Sequence, residues 1–247
     1  MNNEFKEHYD NLSFLYDSLW TYSEEFISYI SEQIISILEL KENDVLVDCG
    51  CGTGIYTKAI LEKMNLKHKV ICTDLSEGML SGLMKEQRVV TIPADAIAFS
   101  AMDMTYDKVF IKEMIHHIEI GKEILYKNIY NHLTDNGIFT ILLLPPTIEY
   151  PLFQKAIQYY EEHQPHYSEI AVGMEKCGFK TNISQIHYPL NIKKEKYFNM
   201  VRQRYMSLLS VFSDEEIESG ISELEEKYKN IESLKFNDNF IVVTGRK

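Results

Sequence analysis

Val45-Leu-Val-Asp-Cys-Gly-Cys-Gly-Thr-Gly54 is an apolar run that ends in an acid and then breaks into glycine at every second position. It reads as a buried strand entering a tight loop, because glycine reaches positive φ freely and brings no Cβ to hold a ligand off the backbone. A helix opens near Ile55, and the N–H groups of a helix N-terminus face whatever lies above such a loop. The stretch is therefore expected to cradle a ligand. Two phosphate-binding loops do not fit it. The dinucleotide fingerprint needs its third glycine where the chain has Ile55, and the Gly-Lys-Ser/Thr ending of the P-loop is absent.

Composition bounds the rest. With 247 residues, 45% of them hydrophobic and 25% charged, the chain can bury a full core as one elaborated domain. No stretch approaches the ~20 apolar residues of a membrane span. The start, Met1-Asn-Asn-Glu-Phe-Lys-Glu7, lacks the basic and apolar regions of a signal peptide. A soluble, cytoplasmic protein with no membrane partner is expected. The net charge of −12 argues against nucleic acid as a partner, since such binding depends on cationic groups that neutralise phosphates. The densest basic run, Lys193-Lys-Glu-Lys196, reads as a solvated helix start. Cys49, Cys51, Cys72 and Cys177 show no zinc spacing, so they read as reduced and structural and no metal site is expected.

The acid and glycines of the opening run, Asp48, Gly50, Gly52 and Gly54, closely resemble motif I of the class I S-adenosylmethionine-dependent methyltransferases. Later motifs of that family follow in order. Val70-Ile-Cys-Thr-Asp74 is a second strand whose terminal acid lies twenty residues beyond Gly54. A carboxylate there can accept both hydroxyls of a ribose lying over the first strand. Leu75 and Met79 match the family's apolar adenine contacts, and Ser76 is placed to cap the next helix. A third strand, Arg88-Val-Val-Thr-Ile92, leads to Asp95-Ala96, matching the family's acid and backbone N–H that read the adenine ring. The resemblance implies S-adenosylmethionine as cofactor, S-adenosylhomocysteine as product, and a binding set made of these residues together with Lys112.

It also implies an α/β architecture: a doubly wound seven-stranded sheet with an antiparallel last strand. Residues 106–111 read as strand four, and residues 138–144, after Asn136-Gly137 as the C-cap of a helix, as strand five. Helices follow over residues 149–162 and from Ser168 to Cys177-Gly178, then strand six near residues 181–190 and the last strand over residues 240–244. The long connection between the last two strands is helical, with a stripe at Tyr197, Val201, Tyr205 and Leu208 and a capping box at Ser213-Asp-Glu-Glu216. Ahead of the sheet, residues 1–23 are rich in aromatics, and Ile27, Ile30 and Ile34 mark a helix from Glu24. One domain is expected, with a helical lid (residues 1–40), a cofactor core (41–190), a helical cap (191–235) and a last strand (236–247).

In this family the substrate-facing groups follow strand four, here Lys112-Glu-Met-Ile-His116-His117. The Asn/Asp-Pro-Pro-Tyr signature of enzymes that methylate nucleobase or glutamine amino groups is missing there. The implied reaction is in-line methyl transfer to an oxygen, nitrogen or carbon nucleophile of a small molecule, with a histidine as base. The run resembles the matching segment of phosphoethanolamine methyltransferases, whose active-site histidine corresponds to His117 and works with a tyrosine of the N-terminal lid. Tyr16 is the matching tyrosine and Tyr9 the alternative. Neighbouring residues on a helical turn point about 100° apart, so only one of His116 and His117 is expected to face the transferring methyl. The competing reading is a protein that binds the same cofactor without methylating.

Overall fold

The computed structural model describes residues 23–247; Tyr9 and Tyr16 lie outside the described residues. Seven strands form one sheet in the order β3-β2-β1-β4-β5-β7-β6. They are β1 Leu46–Cys49, β2 Val70–Asp74, β3 Val89–Pro93, β4 Tyr106–Lys112, β5 Leu133–Leu143, β6 Lys180–Lys193 and β7 Ser233–Arg246. β1 to β5 pair in parallel, and β7 lies antiparallel between β5 and β6. This is the doubly wound sheet with an antiparallel last strand that the motifs implied. The winding reverses between β1 and β4, so a crevice opens beyond Cys49 and Lys112.

Among the described residues the helices are α1 Glu24–Leu38, α2 Ile55–Lys63, α3 Glu77–Leu80, α4 Ala96–Ser100, α5 Lys122–His132, α6 Gln154–His163, α7 Tyr167–Lys176, α8 Lys194–Arg202 and α9 Asp214–Lys227. Alternation along the strands feeds two apolar layers: Leu46 and Phe110 on one face, Val47, Val109 and Ile111 on the other. Helix α1 covers the first face with Phe26, Ile30, Ile34 and Leu38. It starts where the Ser23 hydroxyl accepts from the Phe26 N–H at 3.1 Å, with Glu24 and Glu25 in its first turn. The insertion between β6 and β7 joins the same layer through Tyr197, Val201, Ile217 and Leu224. Helices α5 and α7 cover the second face with Leu125, Ile129, Ile170 and Met174.

Several boundaries differ from the sequence reading, each for a tertiary reason. Helix α5 stops at His132 because buried Leu133 already pairs with Tyr106 of β4. Asn136 (φ 66°) and Gly137 thus turn inside β5 and do not cap the helix. Helix α6 begins at Gln154, not near residue 149, since the chain through Pro151 to Phe153 is still extended and buried. The stripe of Tyr197, Val201, Tyr205 and Leu208 is not one helix. Helix α8 ends at Arg202, Arg204 turns left-handed (φ 52°), and Tyr205 stays buried with its hydroxyl 2.8 Å from that of Tyr197. β6 and β7 run 14 residues each, well past the expected ends. β6 is an edge strand and tolerates Pro189 within it. The capping box at Ser213 and Glu216 is formed. No helix among the described residues is long and apolar enough to cross a membrane.

Candidate active site

The glycine loop is tied to the tip of β2. The Gly50 and Cys51 N–H groups both donate to the Thr73 carbonyl, at 2.8 and 3.0 Å, and Gly54 N–H closes the turn onto Cys51 O at 2.9 Å. Asp74 reinforces this tie, accepting from Gly52 N–H through Oδ2 and from Ser76 N–H through Oδ1, both at 2.9 Å. Ser76 then caps α3 by accepting from Met79 N–H at 3.1 Å. Asp95 caps α4, its Oδ1 accepting from Ile97 and Ala98 N–H, both at 2.9 Å. Gly52 has φ 55°, and a Cβ placed on it would meet nothing within 4 Å. A Cβ on Gly54 (φ 70°) would lie 2.4 Å from Leu83. Gly54 therefore shapes the loop from behind, while Gly52 faces open space.

That contrast gives a test. Gly52→Ala should fold, losing about 1 kcal/mol to left-handed strain. It should bind S-adenosylhomocysteine roughly tenfold more weakly, the ~1–3 kcal/mol of an overpacked contact. Calorimetry checks this, and wild-type affinity in the variant would mean that no ligand presses on residue 52.

A cavity of about 430 Å³ runs from this loop across the ends of β4 and β5 to the middle of β7. Its near half is bordered by Gly52, Asp74, Leu75, Met79, Asp95 and Ala96. Asp48, Gly50, Lys112, His116 and His117 also border it, so of the expected site residues within the described chain only Gly54 does not. A bare glycine, a carboxylate at the strand tip and the apolar Leu75 and Met79 side chains fit a nucleoside: hydroxyls to the acid, base to the apolar wall. Among the described residues no group of three or more His, Cys, Asp or Glu is placed to hold a metal ion.

Asp48 is buried and accepts from the Thr57 hydroxyl at 2.6 Å. Burial pushes its carboxyl from 3.8 up to about 7, with the Thr57 hydrogen bond opposing and Asp74 adding to the rise. A carboxyl raised on folding stabilises the fold below its unfolded pKa, and that contribution is lost as pH climbs through about 7. With each unit worth about 1.4 kcal/mol, the ionised form costs on the order of 4 kcal/mol. Asp48→Asn keeps an acceptor for Thr57, so it should melt several degrees higher than wild type at pH 8 and show a clearly smaller gain at pH 5. An equal gain at both pH values in scanning calorimetry would rule out the buried-charge account.

The far half of the cavity is different in character. The Lys112 ammonium lies 4.7 Å from the ring centre of Tyr56, in the first turn of α2, and 4.5 Å from that of Phe240 on β7, which sets it between the two elements. Glu113 follows β4 with φ 54° and accepts from Leu144 N–H at 2.7 Å. Asp238 of β7 is buried and accepts from the Tyr150 hydroxyl. Burial raises the Glu113 carboxyl to about 7 and the Asp238 carboxyl to about 6; Lys112 opposes both shifts, and the Tyr150 hydrogen bond also opposes that of Asp238. Burial acts against the charge on Lys112, yet Tyr56, Glu113 and Asp238 together leave its pKa raised.

His116 and His117 sit on a single 3₁₀ turn, Ile115–His117. Both rings border the cavity, with centroids 4.1 Å apart and planes tilted by 50°. His117 is buried. His116 Nδ1 is buried without a hydrogen-bond partner among the described residues. Burial, aided by His117 and Lys122, holds the His116 pKa well below the usual histidine range. Sequence reasoning passed over Glu113, Tyr56, Tyr150, Asp238 and Phe240. The first stood in plain view beside Lys112, whereas the others reach the site only through helix and sheet packing.

Residues 46–137, from β1 to the turn inside β5, match the family model of a methyltransferase domain. That segment is similar to a methyltransferase domain, as the motifs of the opening strand implied. The matched segment of that domain contains the glycine loop, Asp74, Asp95 and both histidines. An uncharacterised protein of Methanocaldococcus jannaschii is 25% identical over 135 residues, 54% of this chain and 49% of the relative. The chain thus spans about half the length of that curated relative. Among solved structures, phosphoethanolamine N-methyltransferase 2 of Haemonchus contortus, in complex with phosphomonomethylethanolamine and S-adenosylhomocysteine, superposes with a TM-score of 0.59 at 20% identity, covering 98% of this chain and 60% of that one. A candidate methyltransferase of an antibiotic biosynthesis pathway in Anabaena variabilis gives a TM-score of 0.66 at 15% identity, covering 88% and 96%. Both share the methyltransferase fold of this chain.

Proposed function

We propose that the protein transfers the methyl group of S-adenosylmethionine to a nucleophilic atom of a small molecule, with His117 as the base. The observation that carries this reading is the continuity of one cavity, from the glycine loop and Asp74 to His117 and the far wall. Asp74 would hold the ribose hydroxyls, Leu75 and Met79 the adenine faces, and Asp95 and Ala96 its edge. Phe26 and Ile27 of α1 and Met206 and Leu208 of the insertion border the cavity from above. Enclosure of that kind suits a small acceptor, and the net charge of −12 disfavours a nucleic acid.

The bound cofactor supplies an electrophilic methyl group, whose bond to sulfur breaks with its electron pair staying on sulfur as the acceptor's lone pair forms the new bond. The protein's part is chiefly placement. Holding the acceptor in line can supply ~7–11 kcal/mol through orientation. His117 then takes the proton that the acceptor must lose, with Tyr16 as its partner from the lid.

Two measurements test the reading. Calorimetry should detect S-adenosylhomocysteine binding, and a screen of small nucleophiles with S-adenosylmethionine should release S-adenosylhomocysteine. A protein that binds neither form of the cofactor would overturn it. So would salt-sensitive micromolar retention of RNA or DNA coupled to product release.

A further inference from the structure

Resting on the cofactor-side reading above, we propose that the far half of the cavity accepts a cationic amine that carries no phosphate or carboxylate of its own. The argument begins with charge. Beyond the cofactor half, Glu113, Asp238 and the Lys112 ammonium act on one another, with His163 also bordering the cavity and Glu119 grouped instead with Asp95, Ala96 and His117. A second cation would complete that balance. An anionic acceptor would instead set further negative charge beside two acids, with a single ammonium already shared between them, and like charges at such range are costly.

The wall also shows how it treats a cation. Lys112 places its ammonium over two aromatic rings, Tyr56 and Phe240, at 4.7 and 4.5 Å. Tyr159 and Tyr160 border the same space and extend the aromatic lining. The Tyr160 hydroxyl is engaged with Pro145 O at 2.6 Å, so its position is fixed by the fold. Glu113 is aimed by its backbone. Glu39 and Arg204, also left-handed, follow helix ends, and Asn136 lies in a turn, whereas Glu113 leaves a strand tip with φ 54°. A side chain held in that region away from a helix end marks local strain that a surrounding site maintains.

Protons complete the picture. Groups facing Glu113 and Asp238 are Lys112 on β4, Tyr56 on α2, Tyr150 and Tyr160 from the segment after β5, Tyr197 on α8, and the two acids themselves. Burial leaves the acids protonated at low pH, at about 7 and about 6 respectively. An arriving ammonium displaces those protons, so its association strengthens as pH rises through that window. An uncharged molecule of the same shape gains nothing.

The test uses the full chain saturated with S-adenosylhomocysteine and reads binding by calorimetry. Probes are phenethylamine, 2-phenylethanol and 3-phenylpropanoate, the matching butyl series, and phosphoethanolamine. On at least one skeleton the amine should bind roughly ten- to hundredfold more tightly than its alcohol and its acid, the scale of a hydrogen bond to a charged group. Its affinity should rise from pH 5.5 to pH 8, while that of the alcohol stays flat. Phosphoethanolamine should bind more weakly than butylamine. Glu113→Gln and Asp238→Asn should each remove most of the amine's advantage and leave S-adenosylhomocysteine affinity unchanged; if either variant fails to fold, the pH series on the wild-type chain decides alone. Amines that bind no better than their alcohols or acids on both skeletons, or phosphoethanolamine binding more tightly than butylamine, overturn the inference while the cofactor reading stands. Absence of S-adenosylhomocysteine binding instead overturns the cofactor reading and this inference with it.

Discussion

His117→Ala should lower turnover by about 10²–10⁴-fold, the range of a lost general base, while S-adenosylhomocysteine binds as before. His117 borders the cavity on the turn directly after β4, buried and with its backbone N–H held by Met114 O at 2.9 Å. Its neighbour cannot substitute well. His116 lies 4.1 Å away between ring centres, but its Nδ1 is sealed and its pKa is pressed well below the working range. A base is most effective with a pKa near ambient pH, so His116→Ala should cost less than His117→Ala. Tyr16→Phe should act in the same direction as His117→Ala, since the lid tyrosine is proposed to work with that ring. Single-turnover rates with the best acceptor, set beside S-adenosylhomocysteine titrations, separate chemistry from binding. If His117→Ala and Tyr16→Phe both turn over at the wild-type rate, orientation alone carries the reaction.

The near half of the cavity was legible in the sequence because its chemistry is local. An acid ending an apolar strand, as at Asp74, needs no knowledge of partners, and the cap that Ser76 forms is read from the next few residues. The far half was not. Asp238 arrives on β7, opposite Tyr188 of β6, at a buried position of the alternation Leu234, Phe236, Asp238 where the pattern leads one to expect an apolar side chain. Glu113 stood in the run around Lys112, but its direction depends on a left-handed backbone that no residue type announces. Asn136-Gly137 shows the converse failure. A sound local stop signal was overridden three residues earlier, when Leu133 found Tyr106 across the sheet.

Asp74→Ala should weaken S-adenosylhomocysteine binding by about 10²–10⁴-fold, because two hydrogen bonds to a charged acceptor are lost at ~1.5–3 kcal/mol each. The same carboxylate has a second task that the sequence did not reveal. Its oxygens already accept from Gly52 and Ser76 N–H, at 2.9 Å each, so it holds the loop in shape before any ligand arrives. A carboxylate accepts at about four lone-pair sites, so one carboxylate can serve both backbone donors and ribose hydroxyls. Alanine therefore removes ligand bonds and loop anchors together, and the two losses must be read apart. Thermal unfolding of the cofactor-free protein reports the anchors, with an expected cost of ~1–3 kcal/mol for backbone donors left unsatisfied. Calorimetric titration with S-adenosylhomocysteine reports the sum. An affinity loss larger than the stability loss assigns Asp74 to the ribose. A melting point that falls while S-adenosylhomocysteine still binds at wild-type affinity would leave Asp74 as a loop anchor only and refute its place in the binding set.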